Sequence, residues 1–514
     1  MRTHSHVVEA TGEPAPSVVG VLRRLGIASI LLIGVAACGS QDATPATTTV
    51  ASAEMAPATG GSITWKDCDE SVEVLKCARF SVPYDYKNPS KGSFSLKLMK
   101  RPASDPKRRI GSVLVNPGGP GFGGTYLAEN AVSYFSADLM DRFDIVAWDP
   151  RGTGESTPFV DCVDDYDKYF TFDPTPENDE QRQALIDASK KFSEECGKKN
   201  KEILPYISTN NTVRDMDKIR AALGEEKITY FGFSYGSELG ATWATMFPTT
   251  VRAAVLDGAA DPDADYMEGG LQQAAGFEKQ LTVFLSRCSA DPDCAFYNSG
   301  KAEEAFDALM IEVDKNPIVV TKSRTAVNQS VAYTAVSQAM YSSSMWTQLE
   351  TALHDAQMGN GRGLLDLYDS YYQRNPDGSY GNELEAFNAI LCVDDPGPMT
   401  VEETDSYLPA FKKAAPRLWP GFTGGYGCVF WPVKPDPRIK ITGKGAGPII
   451  VVGTTGDAAT PLKSSRNMAA ALEDGRLIVV TADRHTGYGE NNCVTSAVDN
   501  YLITASVTFR EKAC

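Results

Sequence analysis

The sequence predicts an α/β fold: a mostly parallel sheet interrupted by one large, mainly helical insertion. Short apolar runs recur at 111–116, 143–148, 228–231, 253–256, 448–453 and 477–481, each the length of a buried strand. Helical patterns at 212–223, 235–246, 462–472 and 492–507 lie between or after those runs. Strands separated by helices argue for parallel pairing. From about 261 to 444 the alternation stops. There, helical stretches at 270–287, 302–315, 344–358 and 383–389 are broken by loops rich in Pro, Gly and aromatic residues.

The chain has 514 residues, enough for one large domain with an insertion or for two domains. Its 42% apolar and 22% charged composition is ordinary for a globular protein and favours neither a fibrous nor a disordered class. A formal net charge of -17 repels a polyanion and argues against nucleic acid as a partner. It weakly attracts cationic groups, such as a peptide amino terminus.

Residues 1–37 read as a signal peptide. Arg23 and Arg24 precede an apolar run from Leu25 to Ala37, too short to span a bilayer, and Cys38 follows directly. Val35-Ala36-Ala37-Cys38 resembles a bacterial lipobox, in which the cysteine becomes the lipidated first residue of the mature chain. The expectation is an exported protein, either a cell-surface lipoprotein touching the membrane only through its lipid or a secreted one. The Arg pair is also compatible with twin-arginine export. Residues 38–61, rich in Ala, Thr, Ser and Pro, read as a flexible tether. The rest divides into a first core segment, 62–260, the helical insertion, 261–444, and a second core segment, 445–514.

Of 11 cysteines, setting Cys38 aside leaves ten: Cys68, Cys77, Cys162, Cys196, Cys288, Cys294, Cys392, Cys428, Cys493 and Cys514. An even number fits disulfides formed in an oxidising compartment. Pairing neighbours in sequence gives 68–77, 162–196, 288–294, 392–428 and 493–514, one of many connectivities the sequence allows. No cysteine or histidine spacing matches a zinc site, so no structural metal is expected.

The chemistry concentrates in Gly232-Phe233-Ser234-Tyr235-Gly236, placed between a predicted strand and a predicted helix. This is the pattern of a nucleophile elbow, a bend so sharp that the residues flanking the serine must be small. It lifts the hydroxyl above the sheet and aims a helix N-terminus at a developing oxyanion. Only four histidines are available to act as base. His4 and His6 fall in the signal, and His354 lies in the insertion, where it reads as a helix-surface residue. His485 follows the last predicted strand, where a base is needed. Asp457, after the strand at 448–453, completes the chain order Ser, acid, His. Asp257 is its rival, and Asp149 and Asp483 read better as turn residues. The Gly-rich turn from Asn116 to Gly124 follows the first parallel strand and can bring its backbone close to a bound carbonyl. The amides of Gly119, or a neighbour, and Tyr235 are the candidate oxyanion donors. The turn lacks the spacing and the Lys-Ser/Thr of a phosphate loop. Such chemistry requires no cofactor.

Through these residues the sequence resembles the prolyl-aminopeptidase group of serine peptidases with the α/β-hydrolase fold, above all the tripeptidyl aminopeptidases secreted by actinobacteria. The likeness also includes the segment from Cys77 to Tyr86, Gly118-Gly119-Pro120-Gly121 and Trp148-Asp149-Pro150-Arg151-Gly152, and runs from about Trp65 to Cys514. It implies a cap over the active site and release of short peptides from substrates with a free amino terminus. One departure is Pro117, where prolyl aminopeptidases carry a histidine, which argues against single-proline specificity. An ammonium group held in a confined site needs carboxylates, and Asp394 and Asp395 beside Cys392 are the candidates, with a solvated acidic loop as the alternative. An esterase or lipase would use the same triad. A surface-anchored binding protein with an inert fold is the reading from a different class.

Overall fold

The computed structural model describes residues 58–59, 62–68, 74–395, 397–423 and 425–514. The predicted signal, Cys38 and all but two residues of the tether lie outside the described residues. Eight strands form the body of one sheet: β1 Lys76–Pro83, β2 Ser93–Arg101, β3 Gly111–Asn116, β4 Phe143–Trp148, β5 Ile228–Phe233, β6 Val251–Asp257, β7 Ile449–Thr454 and β8 Gly475–Val480. Their order across the sheet is β1-β2-β4-β3-β5-β6-β7-β8. The pairs β1/β2 and β2/β4 are antiparallel, and every later pair is parallel. Short pieces at 58–59, 66–67 and 511–513 extend the two edges.

The parallel strands are buried on both faces, which is why they read as unbroken apolar runs. β3, β4 and β7 are buried at every residue, whereas β1 alternates. Successive side chains go to opposite faces. Leu114, Tyr230, Leu256 and Val451 pack on one side with Val213, Met216, Leu239 and Trp243 from α2 Thr209–Ala222 and α3 Tyr235–Met246. Val115, Phe231, Val255 and Val452 pack on the other, against Val494, Val498 and Leu502 of the C-terminal helix Asn492–Thr504. The long helix α1, Asp179–Asn200, precedes α2 and is capped by the Asn178 side chain.

Between β6 and β7 the chain is helical, as the broken alternation predicts. The insertion holds α4 Tyr266–Ala290, α5 Ala302–Lys315, α6 Gln329–Met340, α7 Trp346–Gln357, α8 Arg362–Tyr371 and α9 Glu383–Asp394. It has its own apolar core, built around Phe277, Leu281, Phe284, Phe306, Leu309, Val336, Leu353 and Leu367. Helix α10, Leu462–Ala471, and α11, Asn492–Thr504, return the chain to the sheet. The helix expected at 383–389 runs on to Asp394, so Cys392 and Asp394 are helical rather than part of a loop.

The ten cysteines pair as sequence neighbours: Cys68–Cys77, Cys162–Cys196, Cys288–Cys294, Cys392–Cys428 and Cys493–Cys514. Among the described residues, no helix is long and apolar enough to cross a membrane.

Candidate active site

Strand β5 ends at Phe233, α3 begins at Tyr235, and Ser234 makes the whole turn between them. Its φ of 54° and ψ of -125° lie where side-chain-bearing residues are strained, at a typical cost of about 1–3 kcal/mol. A bond of 2.8 Å from the Ser234 amide to the Asp257 carbonyl on β6 holds it there. The flanking glycines are steric requirements. A Cβ on Gly232 would come within 2.1 Å of the Gly236 carbonyl oxygen, and one on Gly236 within 2.8 Å of the Asn116 carbonyl oxygen.

Beyond β7, the Asp457 carboxylate is buried and lies 2.9 Å from His485 Nδ1 through either oxygen. It also accepts the Thr460 amide at 2.8 Å, the Thr460 hydroxyl at 3.1 Å and the Thr486 amide at 3.2 Å. With Nδ1 donating to a carboxylate, Nε2 is left as the acceptor. Burial works against charging the His485 ring, but the charge of Asp457 and its hydrogen bond outweigh it and raise the ring above the ordinary histidine value. Ser234 and His485 both border the segment at 257–258. The serine amide is bonded to residue 257, and a Cβ on Gly258 would stand 3.1 Å from His485 Cε1.

The turn after β3 lies directly over the elbow. A Cβ on Gly118 would fall 2.8 Å from Ser234 Cβ and 3.0 Å from the Tyr235 amide nitrogen, so this approach is open only to glycine. Gly118 and Gly119 have φ of 100° and 111°, and the Gly118 amide is taken by Asn116 Oδ1 at 2.9 Å. Among the described residues the Gly119 amide donates to no protein group. The Tyr235 amide, the first in α3, has no acceptor within that helix.

The other acidic candidates have structural partners. Asp257 accepts the amides of Gly487 at 2.7 Å and Tyr488 at 2.8 Å, anchoring the loop that carries His485 rather than the ring itself. Burial pushes its carboxyl up to about 6 against those two bonds. Asp149 ties together the amides of Thr125 and Glu155, and Asp483 lies in the His485 loop, where its carbonyl accepts the Ser343 amide. His354 is exposed on α7.

At the far end of α9, both Asp394 oxygens are occupied by Thr209, through its amide at 2.8 Å and its hydroxyl at 2.6 Å. The same hydroxyl meets the Tyr235 hydroxyl. Asp395 pairs with Arg438 at 3.2 Å and accepts the Gly397 amide at 3.1 Å. Glu238, one turn into α3, gives one oxygen to Arg438 at 3.4 Å, while its Oε1 is buried without a hydrogen-bond partner among the described residues. Glu238 and Asp395 thus share one guanidinium, while Asp394 is held by Thr209. Burial raises both Asp394 and Glu238 above the ordinary carboxylate range; Glu238 reinforces the rise at Asp394, Asp395 that at Glu238, and Arg438 opposes both.

A family model described as the alpha/beta hydrolase fold matches residues 111–492. The chain belongs to the α/β-hydrolase family. Among curated relatives, this α/β hydrolase is 34% identical over 474 residues to the serine protease Hip1 of Mycobacterium tuberculosis, covering 87% of this chain and 90% of the relative. It is also 34% identical to carboxylesterase B of the same species, covering 88% and 90%. It is 29% identical to a tripeptidyl aminopeptidase of Streptomyces coelicolor, covering 89% and 87%. This α/β hydrolase is a serine hydrolase in the group that includes those peptidases.

Such an arrangement can carry out acyl transfer: a strained hydroxyl, an imidazole whose orientation is fixed by a carboxylate, and two backbone donors at one spot. Three participants escaped sequence reasoning. Thr460 sits three residues after Asp457, and its hydroxyl also lies 3.2 Å from His485 Nδ1, so it braces both members of the pair. An aspartate followed three residues later by threonine is a visible turn signal, but nothing in it marks the histidine contact. Glu238 and Arg438 are far apart in sequence and meet only through the fold.

Proposed function

We propose that this α/β hydrolase is an exported serine peptidase that releases short peptides, tripeptides foremost, from free amino termini through an acyl-enzyme. Ser234 is the nucleophile, His485 the base and Asp457 the acid that orients it. The observation that carries the reading is the Asp457–His485 pair standing against Gly258, the residue next to the one that fixes the Ser234 amide. In this reading Ser234 Oγ attacks the carbonyl, His485 Nε2 takes its proton, and Asp457 stabilises the resulting imidazolium. The Gly119 and Tyr235 amides receive the oxyanion. His485 then protonates the leaving amine, and water releases the acyl group by the reverse sequence.

Binding of the substrate ammonium is assigned to the Glu238, Asp394 and Asp395 cluster, where three carboxyl groups stand beside a single cation, Arg438. The free oxygen of Glu238 is the acceptor within it. The insertion serves as the cap, closing the site on a chain end and limiting what can enter. A relative named tripeptidyl aminopeptidase and another named serine protease favour peptide substrates. The similarity to carboxylesterase B favours an ester-hydrolase reading on the same triad. Five disulfides and the predicted signal support export, with Cys38 as the lipid site of a surface-anchored form.

Chromogenic tripeptide amides with free and acetylated amino termini, assayed beside short-chain esters, test the proposal. Rapid turnover of the free tripeptide and slow turnover of its acetylated form are expected. Turnover of esters alone overturns the peptidase reading.

A further inference from the structure

Residues 341–343 join helices α6 and α7 of the insertion, and they lie directly along the His485 loop. The His485 amide donates to the Tyr341 carbonyl at 2.8 Å, and the Ser343 amide donates to the Asp483 carbonyl at 2.9 Å. Between these bonds, Ser342 and Arg484 form an antiparallel bridge. The two segments are therefore a miniature two-stranded ladder, with one strand from the insertion and the other carrying the histidine. The Tyr341 ring reinforces it, standing edge-on to the imidazole at 5.7 Å between centroids. On its other side that ring packs edge-on against Phe277 of α4, so the contact continues into the insertion's own core.

We infer that residues 341–343 are a positioning element for the base: the insertion, through this ladder, sets where His485 stands. The inference rests on the reading of His485 as base and adds that its placement is shared between two parts of the chain. From below, Asp457 fixes Nδ1 and Asp257 holds the amides of residues 487 and 488. From above, the insertion holds the backbone at 483 and 485. A lateral shift of the insertion carries the loop with it, because paired backbone bonds resist sliding in a way that side-chain contacts do not.

The test removes one rung. Ser343 opens a short 3-10 turn, and Ser342 before it is extended, with φ of -159° and ψ of 135°. Proline suits the first position of such a turn, and an extended residue is what must precede it. Ser343→Pro deletes the amide donor and leaves the turn able to form, and Ser343→Ala, which keeps the amide, is the control. Active sites are counted with a fluorophosphonate, and kcat is expressed per labelled site. In Ser343→Pro, kcat is expected to fall about tenfold or more for amide and ester substrates alike, with KM nearly unchanged. The kinetic pKa of the base is expected to move by about half a unit, with Ser343→Ala like the parent. A folded Ser343→Pro enzyme with parental kcat per site and pH profile overturns the inference. Loss of labelled sites with unchanged per-site kinetics does the same, because it indicates structural damage alone. Should Ser343→Pro fail to fold, amide hydrogen exchange in the parent decides: the Ser343 and His485 amides are expected to open together. Free exchange at Ser343 beside protection at His485 overturns the inference. If Ser234→Ala retains activity, it is the assignment of the triad that falls.

Discussion

At the scale of single residues, two buried aspartates flank the same loop and do different work. Asp457 touches the ring; Asp257 touches the backbone beyond it. Asp457→Asn is expected to lower kcat about 10⁴-fold while leaving the fold intact, because the amide favours the wrong imidazole tautomer. Asp257→Asn keeps an acceptor for only one of the two amides, so a milder loss accompanied by a lower melting temperature is expected. Comparing kcat per labelled site for the two variants separates orienting the base from anchoring its loop. Thr460→Val is expected to fall between them, since it removes one of several donors that fix the carboxylate. Ser234, Asp457 and His485 were legible because each sits in a local pattern next to a recognisable strand. Thr460 and Glu238 were not, because their meaning lies in what faces them across the fold.

At the scale of elements, α9 connects several parts of the site. A Cβ on Gly121 would strike the Glu383 carbonyl oxygen at 2.3 Å and the Phe387 amide nitrogen at 2.5 Å, so the first turns of this helix press on the Gly-rich turn after β3. Its C-terminal end delivers Asp394 to Thr209, and Cys392 ties it to Cys428. That bridge closes a separation of 36 residues, for which chain entropy gives roughly 4 kcal/mol of stabilisation. Cys392→Ser with Cys428→Ser is expected to lose part of that in a denaturant titration and to weaken binding of free tripeptides before esters. Near the other end, Glu385 accepts the amides of Cys162 and Val163, and burial pushes its carboxyl up to about 7, with Asp161 assisting and Lys199 opposing. In the unfolded chain this carboxyl loses its proton at a much lower pH, so between about pH 5 and 7 the folded protein binds more protons. Stability from this group therefore rises as pH falls through 7. The parent is expected to gain about 3 kcal/mol more than Glu385→Gln between pH 8 and pH 5, measured by unfolding at each pH. The sequence marked the start of α9 but ended it at 389, five residues early. Helix α6 escaped for a related reason: it is buried around most of its circumference and so presents no stripe.

At the scale of the whole molecule, the Trp-Asp-Pro-Arg-Gly segment proves architectural. Arg151 is fully buried, pairs with Asp215 of α2 through two nitrogens, and donates to the carbonyls of Pro83, Tyr84 and Tyr206. Tyr86 completes the group with a bond of 2.6 Å to Asp215. Arg151→Met strands a buried carboxylate and is expected to destabilise the fold by about 3–5 kcal/mol, read from denaturant unfolding, rather than to change kcat per active site. The parallel strands and the break in alternation were visible in sequence because the central strands are apolar on both faces. The antiparallel strands β1 and β2 were less so, since β1 alternates and carries charged residues on its outer side.

The chain distributes its machinery unevenly along its length. Ser234 and the Gly-rich turn after β3 come before the insertion, whereas Asp457 and His485 lie after it, on the segment that starts with β7 at Ile449. A ribosome building this chain finishes Ser234 and the turn above it, then the helical insertion, before the proposed base exists. With His485 as the proposed base, any fragment ending short of residue 485 is expected to be inert however well it folds. A serine hydrolase arranged as proposed has no hydrolytic power while it is being made, and the stretch from β7 onward arms it.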